Sequence, residues 1–364
     1  MQRTAFIIRV LNPEKPGFQD SKDLTEEIFK PICENLNIVA KDASDFNKTG
    51  RISEQVLQAI RDSDIVFADA NSNNENVWFE MGYCLRENPE KLIYLFKESR
   101  KIPFDVADFR GVSYSNTVGY FRRLEHDITL TIREILIKSD VNRLLKAKDW
   151  KNELQNFQKL DEGTQSLVIA EIRKIFNNIS RAIETRKRAI IALSHLDQLD
   201  YNELMHYLGG DTDDGLRVVI IESFRLANQA VSDEIWAKII SKDQRFPILR
   251  AAAKSGAIQY NKGLISKDRF NEIFLDGAEW VVLKHIAIIM LENLNAYSNS
   301  LIILRKLLKD NREEIYNRFL DWWYEIKDTP LTENERDLKQ VLLESWSNSE
   351  VPGKLQIADK LKST

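Results

Sequence analysis

The stretch Asp64-Ile65-Val66-Phe67-Ala68-Asp69-Ala70, followed by Asn71-Ser72-Asn73-Asn74-Glu75-Asn76 and then Val77-Trp78-Phe79-Glu80-Met81-Gly82-Tyr83-Cys84-Leu85, constrains the fold most. A short continuous apolar run suits a buried parallel strand. The Asn/Ser cluster is turn chemistry, and Asn74 or Asn76 can cap a following helix. The segment therefore reads strand, turn, helix. Glu80 is the anomaly, because it is the only charged residue between Val77 and Leu85. A helix apolar nearly all round is usually buried, and an ionised carboxylate there costs several kcal/mol unless something specific stabilises it. That makes Glu80 a candidate functional carboxylate.

The same alternation extends on both sides. Ala5 to Val10, Ile38 to Ala40, Leu92 to Phe96 and Val112 to Tyr114 read as further strands, separated by helical patterns such as Ile52, Val56, Ala59 and Ile60. Asp23-Leu24-Thr25-Glu26 resembles a capping box opening the first helix. Alternating strands and helices imply a five-stranded, mainly parallel sheet with helices on both faces. In a flavodoxin-like order, ligands bind beyond the carboxyl ends of the strands, where the winding reverses. The loop Leu11 to Asp20 and the turn Asn71 to Asn76 are then expected to face each other across one crevice, with Glu80 at its edge.

Beyond Ser139 almost nothing reads as strand. Helical spacing dominates in Leu167, Ile172, Ile175, Phe176 and Ile179 and in later segments, and Gly209-Gly210, Gly256, Gly263 and Gly277 act as stops. The expectation is an α/β domain over residues 1–138 and an all-α, solenoid-like domain over residues 139–364, although no repeat motif stands out. The net charge of −4 gives no general reason for nucleic-acid or anionic-membrane binding. Cys33 and Cys84, both in apolar helical contexts, read as reduced core residues. With no secretory n-region and no long apolar run, a cytoplasmic protein is expected. His126, His195, His206 and His285 lack ligand spacing, so no metal site is expected.

The residues Asp69-Ala70-Asn71-Ser72-Asn73-Asn74-Glu75-Asn76-Val77-Trp78-Phe79-Glu80-Met81-Gly82 resemble the signature of the nucleoside 2-deoxyribosyltransferase-like and TIR-like group. The likeness extends to Gly50-Arg51-Ile52 through Ile60 and to Ile102-Pro103-Phe104-Asp105 through Arg110 and Tyr114, covering roughly the first 135 residues. Glu75 stands where the group usually has Pro, and Asn71 where it has Thr. The resemblance implies that Glu80 is the catalytic carboxylate at an N-glycosidic bond. It also implies an immune or toxin-like, antiphage role and self-association into a homo-oligomer, with the helical half as a sensor or assembly platform for an activating ligand or protein.

The expected activity is cleavage of a nucleotide, with NAD as substrate rather than cofactor, to nicotinamide and an ADP-ribose product. The alternatives are a non-catalytic module that binds a nucleotide signal, or a nucleoside deoxyribosyltransferase. Candidate substrate-binding residues are Asp69, Asn71, Asn76, Arg9, Asn12, Asp105 and Arg110. Each has a structural reading beside it: Glu80 paired with Arg110 or Arg9, Asn76 as a helix cap, Asp105 and Arg110 as an ordinary charge pair. Trp322-Trp323-Tyr324 is most simply a helix burying aromatics.

Overall fold

The computed structural model describes residues 2–46, 52–71, 73–99, 111–115, 118–200, 204, 206–208, 213–226, 230–242 and 245–362. Five parallel strands, β1 (Arg3–Ile8), β2 (Ile38–Asp42), β3 (Ile65–Asp69), β4 (Leu92–Lys97) and β5 (Gly111–Tyr114), form one sheet in the order β2-β1-β3-β4-β5. Register pairs Ile7 with Phe67 and Asp69 with Leu95, so the carboxyl ends of β1, β3 and β4 finish side by side. The expected α/β architecture is present, and the winding reverses between β1 and β3.

Period-two alternation decides which face each side chain serves. Ala5, Ile7, Ile65, Phe67, Ile93 and Leu95 pack with Leu24, Phe29, Ile32, Ile128 and Ile132, which belong to α1 (Phe18–Leu24), the π-helical turn Thr25–Phe29, α2 (Lys30–Asn35) and α5 (Val118–Leu145). Phe6, Ile8, Val66, Ala68 and Tyr94 turn the other way, toward Val56 and Ile60 of α3 (Ile52–Asp62) and Val77, Met81 and Cys84 of α4 (Glu75–Glu87). Burying a side chain such as Phe67 completely stabilises by about 2–3 kcal/mol. Both cysteines are free and buried, and burial pushes both thiols up, Cys33 to about 12 and Cys84 to about 11.

The first helix starts earlier than the sequence pattern suggests. Gly17 takes φ 85° at the N-cap, a left-handed conformation that glycine adopts without steric penalty, and α1 begins at Phe18. The Asp23–Glu26 pattern therefore lies inside the helix and caps nothing. Thr25 donates its hydroxyl to the Ser21 carbonyl, and the chain widens into the π turn at that point. This places Ser21, fully buried, under the end of β3.

Among the described residues no strand lies beyond Tyr114. The boundary expected at residue 138 falls within the continuous helix α5, and the chain divides into compact units Met1–Val168 and Ile169–Thr364. The later helices are α6 (Trp150–Gln158), α7 (Glu162–Asn177), α8 (Ile183–His195), α9 (Asp214–Ser223), α10 (Asp233–Lys242), α11 (Phe246–Asn261), α12 (Lys267–Phe274), α13 (Trp280–Glu292), α14 (Ser298–Leu307), α15 (Glu313–Ile326), α16 (Glu333–Trp346) and α17 (Pro352–Lys362). Within the C-terminal unit, α8, α9, α11, α13, α15 and α17 pack one on the next, while α10 packs on α12 and α14 on α16. That two-row stacking is the organisation of an α-solenoid. Trp236, Phe224, Phe270, Phe274, Phe319 and Trp346 fill its interior. No helix among the described residues is long and apolar enough to cross a membrane.

Candidate functional site

Asp69, the last residue of β3, is fully buried at the sheet's carboxyl edge. Burial pushes its carboxyl above the usual range, while hydrogen bonds from Ser21 and Asn71 act in the opposite direction. Ser21 donates its hydroxyl to Asp69 Oδ2, and Val10 N–H donates to Ser21 Oγ at 3.4 Å. Asn71 donates to Asp69 Oδ1 through its backbone N–H at 3.0 Å and its amide at 2.6 Å.

Asn71 is the hub. Its amide nitrogen also donates to the Tyr114 hydroxyl at 2.8 Å, and its amide oxygen accepts from Lys97 N–H at 2.6 Å. One side chain thus joins the ends of β3, β4 and β5, and both its polar atoms are engaged within the protein. Burial, then the Asp69 and Asp20 carboxylates, raise the Tyr114 phenol well above its ordinary value, so it stays protonated. Lys97 Nζ reaches Asp20 at 2.7 Å. Asn71→Ala leaves Asp69, Tyr114 and the Lys97 N–H short of partners in a buried network. A loss of about 2–4 kcal/mol, read as a lower urea midpoint with unchanged slope, is the expected result.

Arg9 and Asn12 serve the neighbouring loops. Arg9 Nε donates to Asp42 Oδ2 at 2.7 Å, closing the ends of β1 and β2 together, so its partner is Asp42 and not Glu80. Burial raises the Asp42 carboxyl, but bonds from Ser44 and Arg9 outweigh it and hold the group below its usual range. Asn12 accepts the Glu14 N–H at 2.9 Å, an Asx turn that shapes the loop after β1. Asp105 and Arg110 lie outside the described residues.

The expected crevice is present. Lys15 and Pro16 of the loop after β1 face Asn73, Asn74, Glu75 and Asn76 across a cavity of about 300 Å³. Asn74, not Asn76, caps α4, its side chain accepting from the Asn76 and Val77 N–H groups at 3.0 and 3.3 Å. Asn76 is exposed in the first turn and lines the cavity. Lys15 and the helix N-terminus favour an anion here, whereas Glu75 opposes one at its own end.

Glu80 lies four residues beyond Asn76 on the same side of α4, but outside the cavity's lining. It is half-buried beside the core positions Val77, Met81 and Cys84. Burial alone pushes its carboxyl up to about 7, and it has no hydrogen bond or ion pair among the described residues. A carboxyl poised near neutrality can stabilise a developing cation or exchange a proton there.

Asp69, Asn71, Asn76 and Glu80 were candidates from the sequence, and Asp20 ended the expected crevice loop, whereas Ser21 and Lys97, which join the Asp69–Asn71 network, were not among them. Ser21 is 48 residues from Asp69, and only the strand order brings them together. No group of three or more His, Cys, Asp or Glu residues is placed to hold a metal among the described residues. Comparison with known protein families, with curated proteins and with solved structures finds no match to this chain.

Proposed function

We propose that the α/β unit cleaves the N-glycosidic bond of a nucleotide, with NAD as substrate and nicotinamide and an ADP-ribose product released. The observation that carries this reading is Glu80: a half-buried carboxyl, lifted to about 7 and with no partner among the described residues, on the helix whose N-terminus lines the crevice. A structural carboxylate is normally neutralised by a fixed cation or donor. One without a partner among the described residues suits a site where positive charge develops in front of it. In NAD the ribose C1′–nitrogen bond breaks with its electron pair passing to the cationic pyridinium ring. Nicotinamide departs neutral, no acid is required, and the ribosyl centre becomes oxocarbenium-like. Glu80 stabilises that centre, or adds to it before water does. Lys15 and the start of α4 suit the substrate's phosphates.

The resemblance to the deoxyribosyltransferase-like and TIR-like group supports this reading, together with an immune role and activity in a self-associated state. Phe79, 63% exposed next to Glu80, offers an apolar side chain that such an assembly could cover.

Purified protein incubated with NAD and with a panel of deoxynucleosides, with products separated by chromatography, tests the proposal. Nicotinamide release is expected from NAD. In the free enzyme the active form is the carboxylate, so kcat/KM rises with pH through about 7 and levels off above it. A cationic ring bound beside Glu80 favours ionisation, which shifts the kcat limb to lower pH.

A second reading, a module that binds a nucleotide signal without turning it over, is favoured by the cavity's lining, which omits Glu80, and by the internal engagement of Asp69 and Asn71. Retained nucleotide binding with no product from any substrate would select it, and base exchange between deoxynucleosides would select a transferase.

A further inference from the structure

The overall charge of −4 conceals a local concentration of cations in the C-terminal unit. On α11, Phe246, Arg250 and Lys254 follow one another at intervals of four residues and so form one row along the helix. On α13, Trp280 and Lys284 form the corresponding row, 34 residues later at each position. The helices are neighbours, and the rows meet at their starts, where the Phe246 and Trp280 rings lie 5.8 Å apart, edge to face. Lys284 Nζ sits 5.7 Å from the Trp280 ring centre. On the next helix, α15, the same register gives Arg318, which pairs with Asp321 at 2.8 Å.

Two features distinguish this face from an ordinary solvated surface. Arg250, Lys254 and Lys284 have no ion pair among the described residues, although Asp and Glu outnumber Lys and Arg in the chain. Phe246 is 56% exposed despite its size. Next to Lys284 on α13 is His285, half-buried, with no hydrogen-bond partner for Nδ1 among the described residues. Burial first, and then the charges of Arg250, Lys254, Lys284 and Arg318, hold its imidazole down at about 4, so the histidine is neutral beside them.

We propose that the face formed by Phe246, Arg250, Lys254, Trp280 and Lys284 binds single-stranded nucleic acid, its cations meeting the phosphodiester backbone and its two rings taking bases. Phe246 to Lys254 covers about 12 Å along α11, and α13 lies roughly 8–10 Å to its side, so the face extends over more than one phosphate spacing in both directions. That reach suits a chain of phosphates better than one nucleotide. Cations without ion pairs among the described residues, set beside the exposed Phe246 ring and the half-buried Trp280 ring, are the combination that holds a strand without reading its sequence. An acidic peptide would use the cations but leave the rings without a planar partner. Glu314, which in α15 takes the place of Phe246 and Trp280, and Glu279 beside Trp280 bound the face, so the strand follows α11 and α13.

The proposal goes beyond the glycosidase reading and is tested without NAD turnover. Binding of a fluorescein-labelled oligothymidylate of about 20 nucleotides to the full chain is followed by anisotropy at several salt concentrations. Expected are binding that weakens with salt, and a loss of more than tenfold in the Arg250→Gln/Lys254→Gln/Lys284→Gln variant. The variant's log–log salt slope should be shallower by about 2, at roughly 0.7 for each phosphate no longer neutralised. Phe246→Ala should bind about fivefold or more weakly with the salt slope unchanged, because stacking carries no counterion release. Arg250→Lys/Lys254→Arg should bind as wild type, which separates charge from folding, and melting curves confirm that all variants are folded. Wild-type protein that does not bind, a triple variant that binds equally well, or displacement by polyglutamate, tripolyphosphate or duplex DNA as effectively as by unlabelled oligothymidylate would overturn it.

Discussion

Glu80→Gln is expected to lower nicotinamide release by about a hundredfold or more while making the protein more stable above pH 7. The amide keeps the shape and can still accept a hydrogen bond, but it cannot offer negative charge to a ribosyl cation. Stability moves in the opposite direction because the folded carboxyl titrates at about 7 and the unfolded one near 4.5. Between those values the native state holds a proton that the unfolded state has lost, so wild-type stability falls as pH rises through this window. Glutamine has no such loss. For a half-buried group the gain is about 1–3 kcal/mol at pH 8, and it vanishes at pH 4, where both states are protonated. Denaturant midpoints at the two pH values check it. Were Glu80 the partner of a buried cation, the same change would destabilise instead.

The second large effect lies at the opposite edge of the sheet. Asp140→Ala is expected to destabilise the N-terminal unit by about 3 kcal/mol, which for a unit of this size lowers the melting temperature on the order of 10 °C. Asp140 on α5 is 1% exposed and pairs with Arg3 at the start of β1 and with Arg143 at 3.1 Å. Removing it takes one of two carboxylate partners from each of two partly buried guanidinium groups. Arg3 retains Asp64 at 3.0 Å and Arg143 retains Glu153 at 2.7 Å, which keeps the loss toward the lower end for a broken buried pair. Thermal melting of the variant beside Asp140→Asn, which keeps the acceptor oxygen and should lose less, checks the assignment.

The strands were legible because Ile65 to Ala68 and Leu92 to Phe96 are apolar runs bounded by turn residues, and a parallel sheet between two helical layers is what such runs require. The first helix was misread because the capping pattern at Asp23 is local, whereas Gly17 supplies a left-handed cap that pattern reading does not weigh. Of the site, Glu80 and Asp69 showed themselves as charges in apolar surroundings. Ser21 and Lys97 carried no local signal, since hydrogen bonds to the ends of β3 and β4 are formed only once the strand order is set. A solenoid-like array was expected, but no repeat motif stood out, because the register at 246, 280 and 314 holds Phe, Trp and Glu. The packing of each helix on the next, a tertiary property, supplies the order that the motif does not.

The most direct test of the account is the rate of nicotinamide release from NAD by wild-type and Glu80→Gln protein at pH 7.5, with both confirmed folded by melting. The expected result is measurable release by wild type and a fall of about a hundredfold or more in a variant at least as stable. Equal release by the two proteins, or no release by folded wild type at any protein concentration, would contradict it.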